Sequence, residues 1–270
     1  MTMFRPVVVR LSGFAASQRL LNYVANVAQF LMGINCGASA CQSGEEGVIA
    51  ELKKRASPPY LIFDVGSNKG QFLDRVFADL PAEQCRVHCF EPAAYTFGLL
   101  TEKTKTIPGV VLNNLALGDE PGERELFYHK PGAGTASLTR RRLDHLGITQ
   151  SQSETVRVET IDRYCREKGV ERIDLLKLDV EGHELEVLRG ASETLAQNRV
   201  RLVTFEFGGC NIDTRTFLQD YFYFFSSEWR FFRLTPSGYL LPLPQYREQD
   251  EQFRTSNFLV LNAGFDAGTF

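Results

Sequence analysis

The chain has 270 residues, 43% hydrophobic and 23% charged, which is enough for one large domain with a substantial core but not for two full catalytic domains. A formal net charge of −3 gives no electrostatic footprint for a polyanion, so nucleic acid is not an expected partner. The six cysteines (Cys36, Cys41, Cys85, Cys89, Cys165, Cys210) form no CxxC pair and have no histidine at zinc-ligand spacing, which reads as reduced thiols, no metal and a cytoplasmic location.

The N-terminus has an early Arg but no apolar stretch ending in a small-residue cleavage site, so no signal peptide is expected. Residues 17–34 carry Leu20, Leu21, Val24, Val27, Ala28 and Leu31 at the spacing of an amphipathic helix, expected to cap a sheet face or the mouth of the site. Asn26 and Gln29 interrupt its apolar run, which is shorter than the roughly 20 residues a bilayer span needs. After a loop marked by Gly33, Gly37 and Gly44, residues 45–55 read as a second helix, ended by Pro58 and Pro59.

From there short apolar runs alternate with helical stretches, the pattern of a parallel sheet covered on both faces. Strands are predicted at 60–65, 86–90, 110–113, 174–178, 200–206, 231–234 and 258–261, and helices at 70–78, 93–104, 161–168, 183–189 and 214–224. An insertion over 118–160 holds an extra strand at 125–128 and a flexible turn at 131–134. The aromatic stretch 217–232 reads as core packing. The run Arg140, Arg141, Arg142 reads as a solvated face, with contact to an anionic substrate as the alternative.

The strongest local signal is the segment LIFDVGSNKG, an apolar strand entering a glycine turn and then a helix. Glycine is required where a ligand lies against backbone, and amides at a helix start face an anionic group. The spacing is GxxxG, not the GxGxxG of dinucleotide binders. Glu91 closes the second strand where an acid accepts hydrogen bonds from a ribose diol, so loop and acid together point to a nucleoside. A third segment delivers Lys177, Asp179, Glu181 and His183 to the carboxyl edge of a buried strand, a costly placement unless the charges are used or paired. Glu206, followed by Gly208 and Gly209, ends another apolar strand facing the same crevice.

FDVGSNKGQF, HCFEP, NNLALGD, VETIDRYC and above all IDLLKLDVEGHELEVLRGA resemble the FkbM family of S-adenosylmethionine-dependent methyltransferases from about Gly44 to Asn262. The resemblance implies a class I methyltransferase (Rossmann-like) α/β fold, a doubly wound, mostly parallel seven-stranded sheet with an antiparallel last strand. It divides the chain into an N-terminal helical extension (1–43) and a methyltransferase domain (44–270). It implies S-adenosyl-L-methionine as cofactor, with S-adenosyl-L-homocysteine as product. Asp64, Gly66, Ser67, Asn68 and Gly70 would cradle the methionine part and Glu91 the ribose. Asn114 and Ala116 would lie near the adenine, and Asp179 by the methionine amino group or the acceptor. Lys69 departs from the apolar residue usual there.

Known members act mostly on hydroxyls of sugars, polyketides or related small molecules or glycans, and removing a hydroxyl proton needs a base. His183, Asp179, Glu206 and Glu181 are the candidates, and the three carboxylates could instead gather a divalent cation. His88, His129 and His145 read as structural or exposed, with His129 and the Thr135, Ala136, Ser137 turn able to line the acceptor side. A nicotinamide oxidoreductase or a noncatalytic nucleoside-binding module are the alternatives.

Overall fold

A computed structural model describes Val9 and residues 12–37 and 43–265, so Cys41 lies outside the described residues. Helices α1 (Ala15–Leu31) and α2 (Glu45–Arg55) precede β1 (Tyr60–Val65), α3 (Gln71–Asp79), β2 (Cys85–Phe90), α4 (Ala94–Thr104) and β3 (Val110–Asn113). The insertion forms β4 (Ala116–Leu117), β5 (Gly122–Tyr128) and β6 (Gln152–Glu159). Then come α5 (Ile161–Lys168), β7 (Ile173–Leu178), α6 (Glu184–Arg189), α7 (Ser192–Ala196) and β8 (Val200–Phe207). The chain continues through α8 (Cys210–Thr214), α9 (Leu218–Phe224), β9 (Trp229–Leu234), β10 (Leu240–Leu243) and β11 (Ser256–Asn262).

The main sheet runs β10-β9-β11-β8-β7-β1-β2-β3. Its strands from β8 to β3 are parallel, and helices cover both faces, so all six residues of β7 are buried, Asp174 and Lys177 included. One face packs Phe63, Leu176 and Phe205 against α5, α6 and α9; the other packs Ile62, Leu175 and Leu202 against α2, α3 and α4. His88 is a core residue, stacked on Phe63 and bonded through Nδ1 to the Tyr164 hydroxyl at 2.8 Å. The five described cysteines are free and buried.

The last strand, β11, lies antiparallel between β8 and β9, as the resemblance implied. The sheet has eight strands where seven were expected. β10 is added by a tight hairpin at Gly238, and Pro242, which cannot donate to a ladder, is tolerated because β10 is at the edge. The insertion builds a second sheet, β4-β6-β5, in which the unpredicted β6 buries Val156 and Val158 in alternation. The helix expected over 214–224 is divided, since Arg215 takes a left-handed conformation (φ 57°) and α9 starts afresh at Leu218.

The expected role of α1 needs correction. Its apolar stripe covers neither a sheet face nor the site: no residue of the helix is buried, and Leu20, Leu21, Val24, Val27 and Leu31 are all exposed. The polar side of α1 meets the domain instead, through Asn26 and Gln29, which accept from the Arg254 guanidinium. Beyond the helix, the Arg233 side chain donates to the Met32 carbonyl at 2.9 Å. Among the described residues, no helix is long and apolar enough to cross a membrane.

Candidate active site

The carboxyl ends of β1, β2 and β7 are joined by backbone hydrogen bonds around the glycine turn. Gly66 and Ser67 amides donate to the Phe90 carbonyl at 2.9 and 3.0 Å, and the Asp179 amide donates to the Val65 carbonyl at 3.0 Å. Gly66 has φ 82°, and a Cβ there would fall 1.9 Å from the Asp179 carbonyl oxygen, so only glycine fits. Asn68, also left-handed, donates its amide to Glu91 Oε2 at 2.9 Å, while the Ala93 amide donates to Oε1 at 2.9 Å. Burial pushes the Glu91 carboxyl up to about 7 despite these two donors.

A crevice of about 910 Å³ opens above these strand ends. Of the residues expected to hold a cofactor, Gly66, Asn68, Glu91, Ala116 and Asp179 line it, whereas Asp64, Ser67, Gly70 and Asn114 do not. Asp64 is fully buried and paired with Lys177 Nζ at 3.4 Å. The Ser67 hydroxyl donates to the Asp64 carbonyl at 2.7 Å. Gly70 starts α3 where a side chain would press on Leu100. Asn114 donates its amide to the carbonyls of Glu91 and Pro92, fixing the loop that carries Glu91.

All four candidate catalytic residues, Asp179, Glu181, His183 and Glu206, line the same crevice. Lys177 lies beneath them, 3.2 Å from Asp179 Oδ2; burial lowers its pKa, but Asp179, Asp64 and Glu45 outweigh that and hold the ammonium charged. Burial raises Glu181 to about 8 although Arg141 opposes it. Glu206 is pushed well above the ordinary carboxyl range by burial and by Asp179, Glu181 and Glu184. His183 moves the other way: burial lowers its pKa, with Glu186 opposing, so the imidazole is neutral at neutral pH. Among the described residues no group of three His, Cys, Asp or Glu could hold a metal ion.

The far wall comes from the insertion. Thr135, Ala136 and Ser137 line the crevice as expected, and His129 does not. Ser137 Oγ donates to the Glu181 carbonyl at 2.9 Å, and Thr139 Oγ1 lies 3.0 Å from His183 Nε2. The arginine run divides: Arg140 lies over the Phe127 ring, while Arg141 and Arg142 line the crevice. Arg141 is half-buried and paired with Glu181 and Asp213, so its reading as a solvated face fails. Asn35 and Gly37, from the segment after α1, form part of the wall near Glu206. Glu184 is a further residue the motif reading passed over. Fully buried, it accepts from the amides of Val180 and Gly182 at 3.0 and 3.2 Å and so shapes the turn that presents Glu181 and His183. Gly182 is needed in that turn, with φ 104° and the Thr214 methyl 2.9 Å from where a Cβ would be.

Residues 64–231, more than half of the chain, match the methyltransferase FkbM domain. The chain belongs to the FkbM methyltransferase family. It is similar to the hexuronic acid methyltransferase AglP of Haloferax volcanii, 31% identical over 152 residues that make up 56% of this chain and 58% of that relative. It is also similar to the 2-O-methyltransferase NoeI of Sinorhizobium fredii, 28% identical over 67% of this chain and 75% of NoeI. Among solved structures, a methyltransferase FkbM from Methylobacillus flagellatus aligns at TM-score 0.45 and 14% identity, covering 74% of this chain and 43% of that one.

S-adenosylmethionine is the cofactor of this FkbM-family chain. The crevice suits it on three counts. Gly66 leaves bare backbone beside Asp179, the buried Asn68 Oδ1 has no partner, and the Glu91 carboxyl lines the same crevice.

Proposed function

We propose that this chain methylates a hydroxyl of a sugar, polyketide or related small molecule or glycan, with His183 taking the proton that the hydroxyl must lose. The observation that carries this reading is a neutral, buried imidazole in the same crevice as Gly66, Glu91 and Asp179. Bound S-adenosylmethionine supplies an electrophilic methyl carbon.

The protein then has to align an acceptor oxygen within about 3 to 3.5 Å of that carbon and keep water out. Gly66, Asn68 and Glu91 hold the cofactor half. Asp179, at their border, faces the methionine amino group or the acceptor. Ala116 lies on the adenine side, while Asp64, Ser67, Gly70 and Asn114 support from behind. Glu181, raised to about 8, keeps its proton at pH 7 and acts as a hydrogen-bonding group toward the acceptor, and burial pushes Glu206 in the same direction, so His183 is the base in this reading.

The name of the hexuronic acid methyltransferase supports a carbohydrate acceptor, that of the 2-O-methyltransferase supports transfer to oxygen, and the net charge of −3 favours a small molecule or glycan over nucleic acid. An N-terminal extension followed by a methyltransferase domain from residue 44 belongs to the same proposal, with Asn35 and Gly37 completing the catalytic crevice.

The test is calorimetric titration with S-adenosylmethionine, S-adenosylhomocysteine and NAD, then an acceptor panel of neutral glycosides, uronides and polyketides read by homocysteine-conjugate release and product mass. Binding of the first two ligands and a methyl ether product are expected. NAD binding alone overturns the reading, and a methyl ester product removes the need for a base.

A further inference from the structure

Helix α1 is amphipathic, yet it is attached to the domain by the wrong side for a helix that completes a core. On the helical wheel Leu20, Val24, Val27 and Leu31 form one stripe, flanked by Leu21 and Tyr23, and all six are exposed. The opposite arc carries Gln18, Asn22, Asn26 and Gln29, and it is Asn26 and Gln29 that bond to Arg254. Burial normally works the other way, and among the described residues nothing covers the apolar stripe.

Charge identifies what that is. The first 44 residues hold Arg5, Arg10 and Arg19 and none of the chain's 33 Asp and Glu, which leaves the remainder net acidic. Arg19 is exposed at the edge of the polar arc. A purely cationic segment with an outward apolar stripe, too short to cross a bilayer, has the chemistry of a helix lying in the plane of an anionic lipid surface. We infer that α1 docks this protein onto anionic membrane surfaces, apolar stripe into the lipid and polar arc toward the domain.

The full chain would be sedimented with phosphatidylcholine vesicles and with vesicles that also contain phosphatidylglycerol, beside the variant Leu20→Gln/Val24→Gln/Leu31→Gln. None of the three side chains is buried, so the variant keeps its fold. Expected is binding to the anionic vesicles that weakens with added salt, is absent from neutral ones, and falls by about a hundredfold in the variant. Equal binding by variant and parent, or no binding to either vesicle, overturns the inference. A concentration-dependent dimer in light scattering, lost in the variant, would likewise overturn it by making a second copy the occupant.

Discussion

Gly66 and Asp179 meet backbone to backbone: the space a Gly66 side chain would need is held by the Asp179 carbonyl, 1.9 Å from the ideal Cβ position. Because the Asp179 amide also donates to Val65, neither partner can retreat without breaking the junction of β1 and β7. Gly66→Ala therefore combines a left-handed alanine with a backbone collision, on the order of 3 kcal/mol. Urea denaturation should show the loss of stability, and S-adenosylhomocysteine titration a loss of binding even where the variant remains folded. Parent-like affinity would mean the cofactor does not run over this turn.

Glu91 should set the pH dependence of cofactor binding. With its pKa raised to about 7 by burial, it is largely protonated at pH 6 and ionised at pH 8, and the ionised form is the better acceptor for two ribose hydroxyls. Affinity for S-adenosylhomocysteine should rise as pH passes from 6 to 8. Glu91→Gln should bind about 50-fold more weakly and lose the slope, because one oxygen that receives the Asn68 or Ala93 amide is replaced by a donor. Calorimetry at three pH values settles it; a parallel slope in the variant would assign the titration to another group.

Local sequence carried much of this architecture. β1, β3, α2 and α5 fall at their predicted bounds, since both strands are short, mostly apolar runs and the helices stop before Pro58 or at Gly169. β6 was missed because its outer residues are polar and its pairing with β5 joins segments about 30 residues apart. Motifs likewise gave Gly66, Glu91 and the Asp179 to His183 run, whose members are close in sequence. Arg141, Thr139 and Ser137 reach that run from some 40 residues upstream, and periodicity holds no trace of such contacts. The orientation of α1 is hidden for the opposite reason: its sequence has a clear apolar stripe, yet the stripe packs on none of the described residues of the domain.

His183→Ala should separate chemistry from binding. The ring touches Thr139 and Glu186, not the Gly66 and Glu91 half of the crevice, so affinity for S-adenosylhomocysteine should stay within about twofold while turnover of an acceptor hydroxyl falls by about 100-fold or more. Because burial lowers its pKa, the parent should remain active below pH 6.5 and lose rate only when the ring is protonated. Single-turnover rates across pH check both points. Undiminished turnover in the variant would remove His183 as the base.

Glu184 should make the fold less stable as the pH rises. Its pKa goes up from the ordinary carboxyl value to about 7 because burial outweighs the two amides it accepts from, and Oε2 has no partner. A group whose folded pKa is raised contributes stability fully below its unfolded pKa, near 4.5, and that contribution is lost as pH climbs through the folded value. Between pH 5 and 8 the parent should therefore lose several degrees of Tm, with Glu181 and Glu91 adding to the trend. Glu184→Gln keeps an oxygen for the Val180 and Gly182 amides and cannot ionise, so its Tm should fall less steeply over the same range and its advantage over the parent should be largest at pH 8. Thermal melts of both proteins at pH 5, 6.5 and 8 test this, and parallel curves would show that Glu184 does not titrate in the folded protein.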